Sequence, residues 1–187
     1  MKKIVIIVVF FAAIISLKYL LKEPAINLPV YGSVPEFEFI SQDNKKISQK
    51  DYLEKVWVVS FIFTNFPAQC PMMTSSMRKI QEKTNQLKNI YFVSISIDPE
   101  NDNPDRLRKY IELHSVNVTN WDFLTGDEKL IHKFAEETFK LSSGKEDPNL
   151  HSTKFVLVDK QANIRGYYDS QESNSDIVSD IGRLVSQ

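Results

Sequence analysis

The stretch "VWVVSFIFTNFPAQCPMMTSSMRKIQ" (residues 56–81) changes its hydrophobic period halfway along. Residues 56–63 form a β-branched and aromatic run, the pattern of a strand covered on both faces. From Met73 the apolar positions Met73, Met77, Ile80, Thr84 and Leu87 step by four and three, which is one stripe of a helix. The turn between them ends at Cys70, the only cysteine of the 187-residue chain. There the unpaired N–H groups and the dipole of a helix start are expected to favour a thiolate and lower its pKa. Binding residues collect at such strand-to-helix turns in α/β sheets. The competing reading is a buried, inert cysteine that packs as a small hydrophobe.

Outward from this unit the punctuation alternates. Residues 37–40 and 46–48 flank "SQDNKK", a hairpin whose Asn44 suits a left-handed conformation. "IYFVSISI" (90–97) is a second buried strand closed by Asp98-Pro99. "NPDRLRKYIELH" starts a helix with Asn103 as cap and Pro104 at its first position, and buries Leu107, Tyr110 and Ile111. Residues 121–124 are a short strand, and "GDEKLIHKFAEE" is a helix with Ile131, Phe134 and Ala135 inward. "KFVLVD" and "IRGYYD" pair around "KQAN", and a closing helix rests on Ile177, Ile181 and Leu184. The expected fold is α/β, a mixed central sheet with helices on both faces and an N-terminal β-hairpin.

With 24 acidic and 23 basic side chains, the net charge of −1 gives no basic face for nucleic acid. A single cysteine excludes an internal disulfide. Lys2 and Lys3 precede an uncharged apolar run over residues 4–17, which reaches spanning length by residue 21 if Lys18 snorkels to the headgroups. Residues 1–22 therefore read as a transmembrane anchor, with a cleaved signal peptide as the alternative. No cysteine stands there for lipid attachment. Either reading sends the remainder outside, to the periplasmic or equivalent face. Residues 23–33, with Pro24 and Pro29, read as an extended tether, and 34–187 as the folded domain.

The candidate site residues start with Cys70. His151 precedes "KFVLVD" and would project at one end of the sheet, although by itself it reads as a loop residue. His114 falls in a last helical turn and His132 on a helix flank, both structural. Met73 and Met77 face the core, which leaves Met72 as the thioether free to act as a soft ligand. Asp98 is a supporting or catalytic candidate, or only the end of a strand. Thr64 and Arg165 could assist a reactive thiol.

"FIFTNFPAQCPMMTSSMRKIQ", "VPEFEFISQDNKKIS", "FVSISIDPENDNPDRLRKYIELH", "WDFLTGDE" and "HSTKFVLVDKQANIRGYYD" occur in order, and from residue 34 onward the chain resembles the Sco/SenC family. The resemblance implies a thioredoxin-like domain, membrane-tethered on the outer side. It also implies one copper ion held by two loop cysteines and a histidine, in a protein that helps assemble the copper centre of cytochrome c oxidase. Cys70 matches the second cysteine and His151 the histidine, while Phe66 occupies the missing ligand position. A weakened site follows, one that favours Cu(I) over Cu(II) and has Met72 as a possible third ligand. The partner is then a copper-centre-containing oxidase subunit or another assembly factor, and the chain is a chaperone more than an enzyme. Two alternatives are a single-cysteine thiol redox protein or peroxidase acting through Cys70, and a non-catalytic paralogue that binds assembly partners. Phe66 could also shield the thiol and raise its pKa against the helix terminus.

Overall fold

In the computed structural model, residues 28–65, 69–144 and 151–187 are described. The expected anchor (1–22) and Phe66 lie outside them. Among the described residues no helix is long and apolar enough to cross a membrane.

Strand β4 (Val56–Ile62) is buried at every position and feeds both cores of the molecule. Val56, Val58 and Ile62 point into one apolar cluster, and Trp57, Val59 and Phe61 into the other. A period of two on a strand requires that split when both faces are covered. Around it lie β1 (Gly32–Ser33), β2 (Glu38–Ser41), β3 (Lys46–Ser48), β5 (Ile90–Ser96), β6 (Trp121–Thr125), β7 (Lys154–Val158) and β8 (Asn163–Asp169). The sheet runs β1-β8-β7-β4-β5-β6-β2-β3. Pairs β4/β5 and β5/β6 are parallel and the rest antiparallel.

The parallel pairs are joined through α1 (Gln69–Lys83) and α2 (Pro104–Leu113). Both helices pack on the Val58 face through Met73, Met77, Ile80, Leu107 and Tyr110, together with α4 (Ser175–Val185) through Ile177, Ile181 and Leu184. The other face is covered by α3 (Glu128–Lys133) and the wide π turn Phe134–Thr138 that continues it. The α/β class, the mixed sheet and the two hairpins are as the sequence implies. Asn44 has φ 58° in the first hairpin turn. Asn103 caps α2 by accepting the Arg106 N–H at 3.0 Å.

Two details differ from expectation. Helix α1 stops at Lys83, and Thr84 is buried just beyond it while its hydroxyl bonds back to the Ile80 carbonyl at 2.8 Å. The sheet also takes in the end of the proline-rich segment. Tyr31 N–H donates to Ile164 O at 2.9 Å and Val34 N–H to Ala162 O at 2.8 Å. Arg165 adds Nε to Pro29 O at 3.1 Å and Nη2 to Leu28 O at 2.5 Å. An edge strand offers backbone groups for pairing, and these residues use them.

Candidate metal centre

Strand β4 ends at Ile62 and the chain turns toward α1, whose second residue is Cys70. The first part of the turn is tied down by Asp102, which is fully buried. Its carboxyl oxygens accept the Thr64 N–H at 3.1 Å, the Thr64 hydroxyl, and the Ser96 hydroxyl at 2.6 Å. Arg106 on α2 reaches Asn65 Oδ1 at 2.8 Å and Thr64 Oγ1 at 3.4 Å. The loop is thus anchored to the end of β5 and to α2 before it reaches the thiol. Thr64 gives both its amide and its hydroxyl to this anchor, in place of the assisting role toward a reactive thiol that the sequence leaves open.

The Cys70 side chain is fully enclosed, among the apolar residues of the α1/α2/α4 face. Its Sγ accepts the Phe63 N–H at 3.2 Å. Burial pushes the thiol up to about 11; the Phe63 N–H opposes the shift, and the nearby Asp102 carboxyl adds to it. This corrects the expectation of a lowered pKa at the helix start. Removing a sulfur from water disfavours its anion more than one N–H and a helix terminus favour it. A thiol in these surroundings is a poor nucleophile, yet it remains a soft ligand for a metal that can displace its proton.

His151 is also buried, at 4% exposure, and not the surface loop residue it resembles in isolation. The chain around it is held by Ser152 N–H to Ser142 O at 3.0 Å and Ser170 N–H to Thr153 O at 3.2 Å. Because β7 runs antiparallel to β4, with Val59 opposite Val156, the entry to β7 lies at the end where β4 leaves for the loop. Topology thereby brings His151 and Cys70, 81 residues apart in the sequence, to one end of the sheet.

Met72 is 56% exposed. On a helix, residues two apart do not face each other, so Met72 and the enclosed Cys70 diverge. Asp98 closes the turn after β5: Asn101 donates to both its oxygens at 3.0 Å, and burial holds its carboxyl above the usual carboxylate range. Asp102, not singled out beforehand, is the residue that anchors the loop. The only sequence signal for it is its place between a buried strand and the cap of α2.

His132 is more enclosed than a flank position, at 6% exposure, with Nε2 3.6 Å from Glu128 Oε1. His114 ends α2 with its ring centroid 4.3 Å from that of Tyr110, and burial together with the Arg78 cation lowers its pKa. Arg165 is at the opposite end of the sheet from Cys70, in a buried 2.7 Å ion pair with Asp159, and gives no support to a reactive thiol. Among the described residues no three His, Cys, Asp or Glu side chains converge as a metal site. One thiol and one imidazole fit a low-coordinate soft ion such as Cu(I) and do not fit a hard cation.

The SCO1/SenC family model matches residues 30–186. The SCO1 protein homolog of Bacillus subtilis (strain 168) is 36% identical over 160 residues, covering 82% of this chain and 83% of that protein. Among solved structures, BsSco, described as a member of the Sco family of cytochrome c oxidase assembly proteins with a disulfide switch, superposes with a TM-score of 0.77. It shows 33% identity over 86% of this chain and 96% of its own. A SCO1/SenC family lipoprotein from Bacillus anthracis str. Ames gives 0.75 and 33% over 88% and 98%. The likeness establishes the thioredoxin-like α/β fold of Sco proteins. A one-cysteine chain has no intramolecular counterpart of a disulfide switch. The match over nearly the whole described region, in sequence and in fold, makes this chain a member of the SCO1/SenC family.

Proposed function

We propose that this protein binds copper, as Cu(I), through Cys70 and His151 and passes it to a copper-centre-containing subunit or another assembly factor of cytochrome c oxidase. The observation that supports this reading is the placement of an enclosed thiol and a buried imidazole at the same end of the sheet in a SCO1/SenC protein. Cys70 supplies a thiolate as its proton leaves, and His151 a neutral imidazole. With Phe66 in place of the family's first loop cysteine, the site has one ligand and one negative charge fewer than its family pattern, which favours Cu(I) and lowers affinity. Met72, directed to solvent, completes the coordination only if the helix start moves or an ion is shared with a partner. Residues 1–22 anchor the protein, with Lys2 and Lys3 inside and the thioredoxin-like domain on the outer face. The enclosed, protonated state of Cys70 weighs against the peroxidase alternative.

The test is Cu(I) titration of the full chain in detergent against a competing chelator. The wild type is expected to bind one Cu(I), and Cys70→Ala or His151→Ala to lose it. Losing a supporting partner alone costs ~10–100-fold in metal affinity, so Phe66→Cys is expected to gain more than that. Absence of Cu(I) binding by the wild type would refute the reading and leave the partner-binding paralogue.

A further inference from the structure

Immediately after Cys70, Pro71 forms one wall of a groove of about 300 Å³ whose other side is α2. Arg106, Lys109, Tyr110, Leu113 and His114 line it, spaced so that one face of α2 is presented along its length. Leu113 is 78% exposed there, a large apolar side chain beside two cations. Arg106 bonds the neutral oxygens of Thr64 and Asn65. Among the described residues the ion pair of α2 is Arg108 with Asp105, which leaves Arg106 and Lys109 without a carboxylate partner. Arg78, behind His114, is matched by Glu82 at 3.9 Å. The groove thus offers Lys109 and Arg106 outside any direct ion pair, the latter linked to Asp102 only through the Thr64 hydroxyl, with an exposed leucine and an aromatic floor, one residue from the thiol.

The other flank of the loop carries carboxylates. Asp98 and Glu128 line a cleft of about 260 Å³ toward α3, with Phe63 between it and Cys70. A partner approaching this end of the sheet meets the cations Arg106 and Lys109 on the α2 side and the carboxylates Asp98 and Glu128, with His132 beside them, on the α3 side. Such a pattern selects one orientation of encounter.

We propose that the α2 groove is the docking surface for an acidic segment, carrying an apolar side chain, of the protein that exchanges copper with Cys70. This rests on the copper reading above. The acid pairs with Arg106 and Lys109, the apolar side chain covers Leu113, and the partner's ligand is brought to Cys70 beside Pro71. Charge on the groove controls the rate of encounter and its salt dependence, and the leucine supplies the apolar centre that interface cores require.

The test uses the full-length chain in detergent and the purified, metal-free copper-centre domain of the same organism's oxidase subunit. Their association is measured without copper at two ionic strengths. Lys109→Glu and Leu113→Asp, which leave the loop anchor intact, are each expected to weaken association by about tenfold or more, and Lys109→Glu to flatten its salt dependence. The same variants are expected to titrate with Cu(I) as the wild type does, which also shows that they are folded. Wild-type association by both variants, or no association by the wild type at either ionic strength, would overturn the docking assignment. So would self-association of the chain that Leu113→Asp abolishes, since it would give the groove to a second copy. Association without any Cu(I) binding would remove the copper reading and leave the docking surface standing.

Discussion

Replacing Asp102 with alanine tests the loop anchor most directly. The carboxyl group takes three donors: the Thr64 amide, the Thr64 hydroxyl and the Ser96 hydroxyl. Ser96 is fully buried, so its hydroxyl is left without that acceptor in a dry environment, which costs about 2 kcal/mol. Thr64 is half-buried, so water recovers part of its loss, and its two bonds contribute about 1 kcal/mol each. The expected destabilisation is therefore about 4 kcal/mol, a large share of the ~5–15 kcal/mol that holds a domain together. Asp102→Asn keeps the shape and one acceptor oxygen and is expected to lose about half as much. Urea unfolding followed by fluorescence of the buried Trp57 and Trp121 measures both, and the order wild type, Asn, Ala is the signature. Because Phe63 N–H holds Cys70 Sγ next to Thr64, alkylation of Cys70 in the folded protein should also accelerate in the same order. A loss below ~1 kcal/mol for Asp102→Ala, or alkylation no faster than in the wild type, would refute the anchor.

Two further outcomes follow from the buried groups. Cys70 stays protonated to about pH 11 when folded but ionises near ~8.5 when unfolded, so the folded state holds more protons in that window. Metal-free stability is thus full below that window and falls by about 3 kcal/mol as pH rises through it. Buried tyrosines act in the same direction at higher pH, so the slope is read as the difference between wild type and Cys70→Ser; equal pH profiles would contradict the burial argument. Arg165→Ala removes the partner of buried Asp159 and releases the Leu28 and Pro29 carbonyls. It is expected to cost about 3 kcal/mol in urea unfolding while Cu(I) stoichiometry stays unchanged, because the pair sits at the far end of the sheet.

What the sequence by itself determined is local or periodic. The run at 56–63 encodes a strand with two covered faces, and Trp57 and Val58 enter different cores because a pleat alternates. Asn103-Pro104 encodes a helix start and Asn44 a tight turn, since both depend on the residue's own backbone preference. The ordered motifs also carried the family and pointed to Cys70 and His151. Tertiary structure alone decided the state of those residues. Whether the thiol of Cys70 is activated or silenced depends on how much apolar surface from α1, α2 and α4 closes over it, and no neighbour in sequence reports that. Of the two aspartates in "DPEND", Asp102 anchors the loop and Asp98 closes a turn, a division made by which carboxyl the end of β5 turns inward. Arg165 is drawn to Asp159 and the Leu28–Pro29 carbonyls because its position in β8 lies at the far end of the sheet. Desolvation and long-range pairing are properties of the packed chain, and they separate a reactive cysteine from an enclosed one.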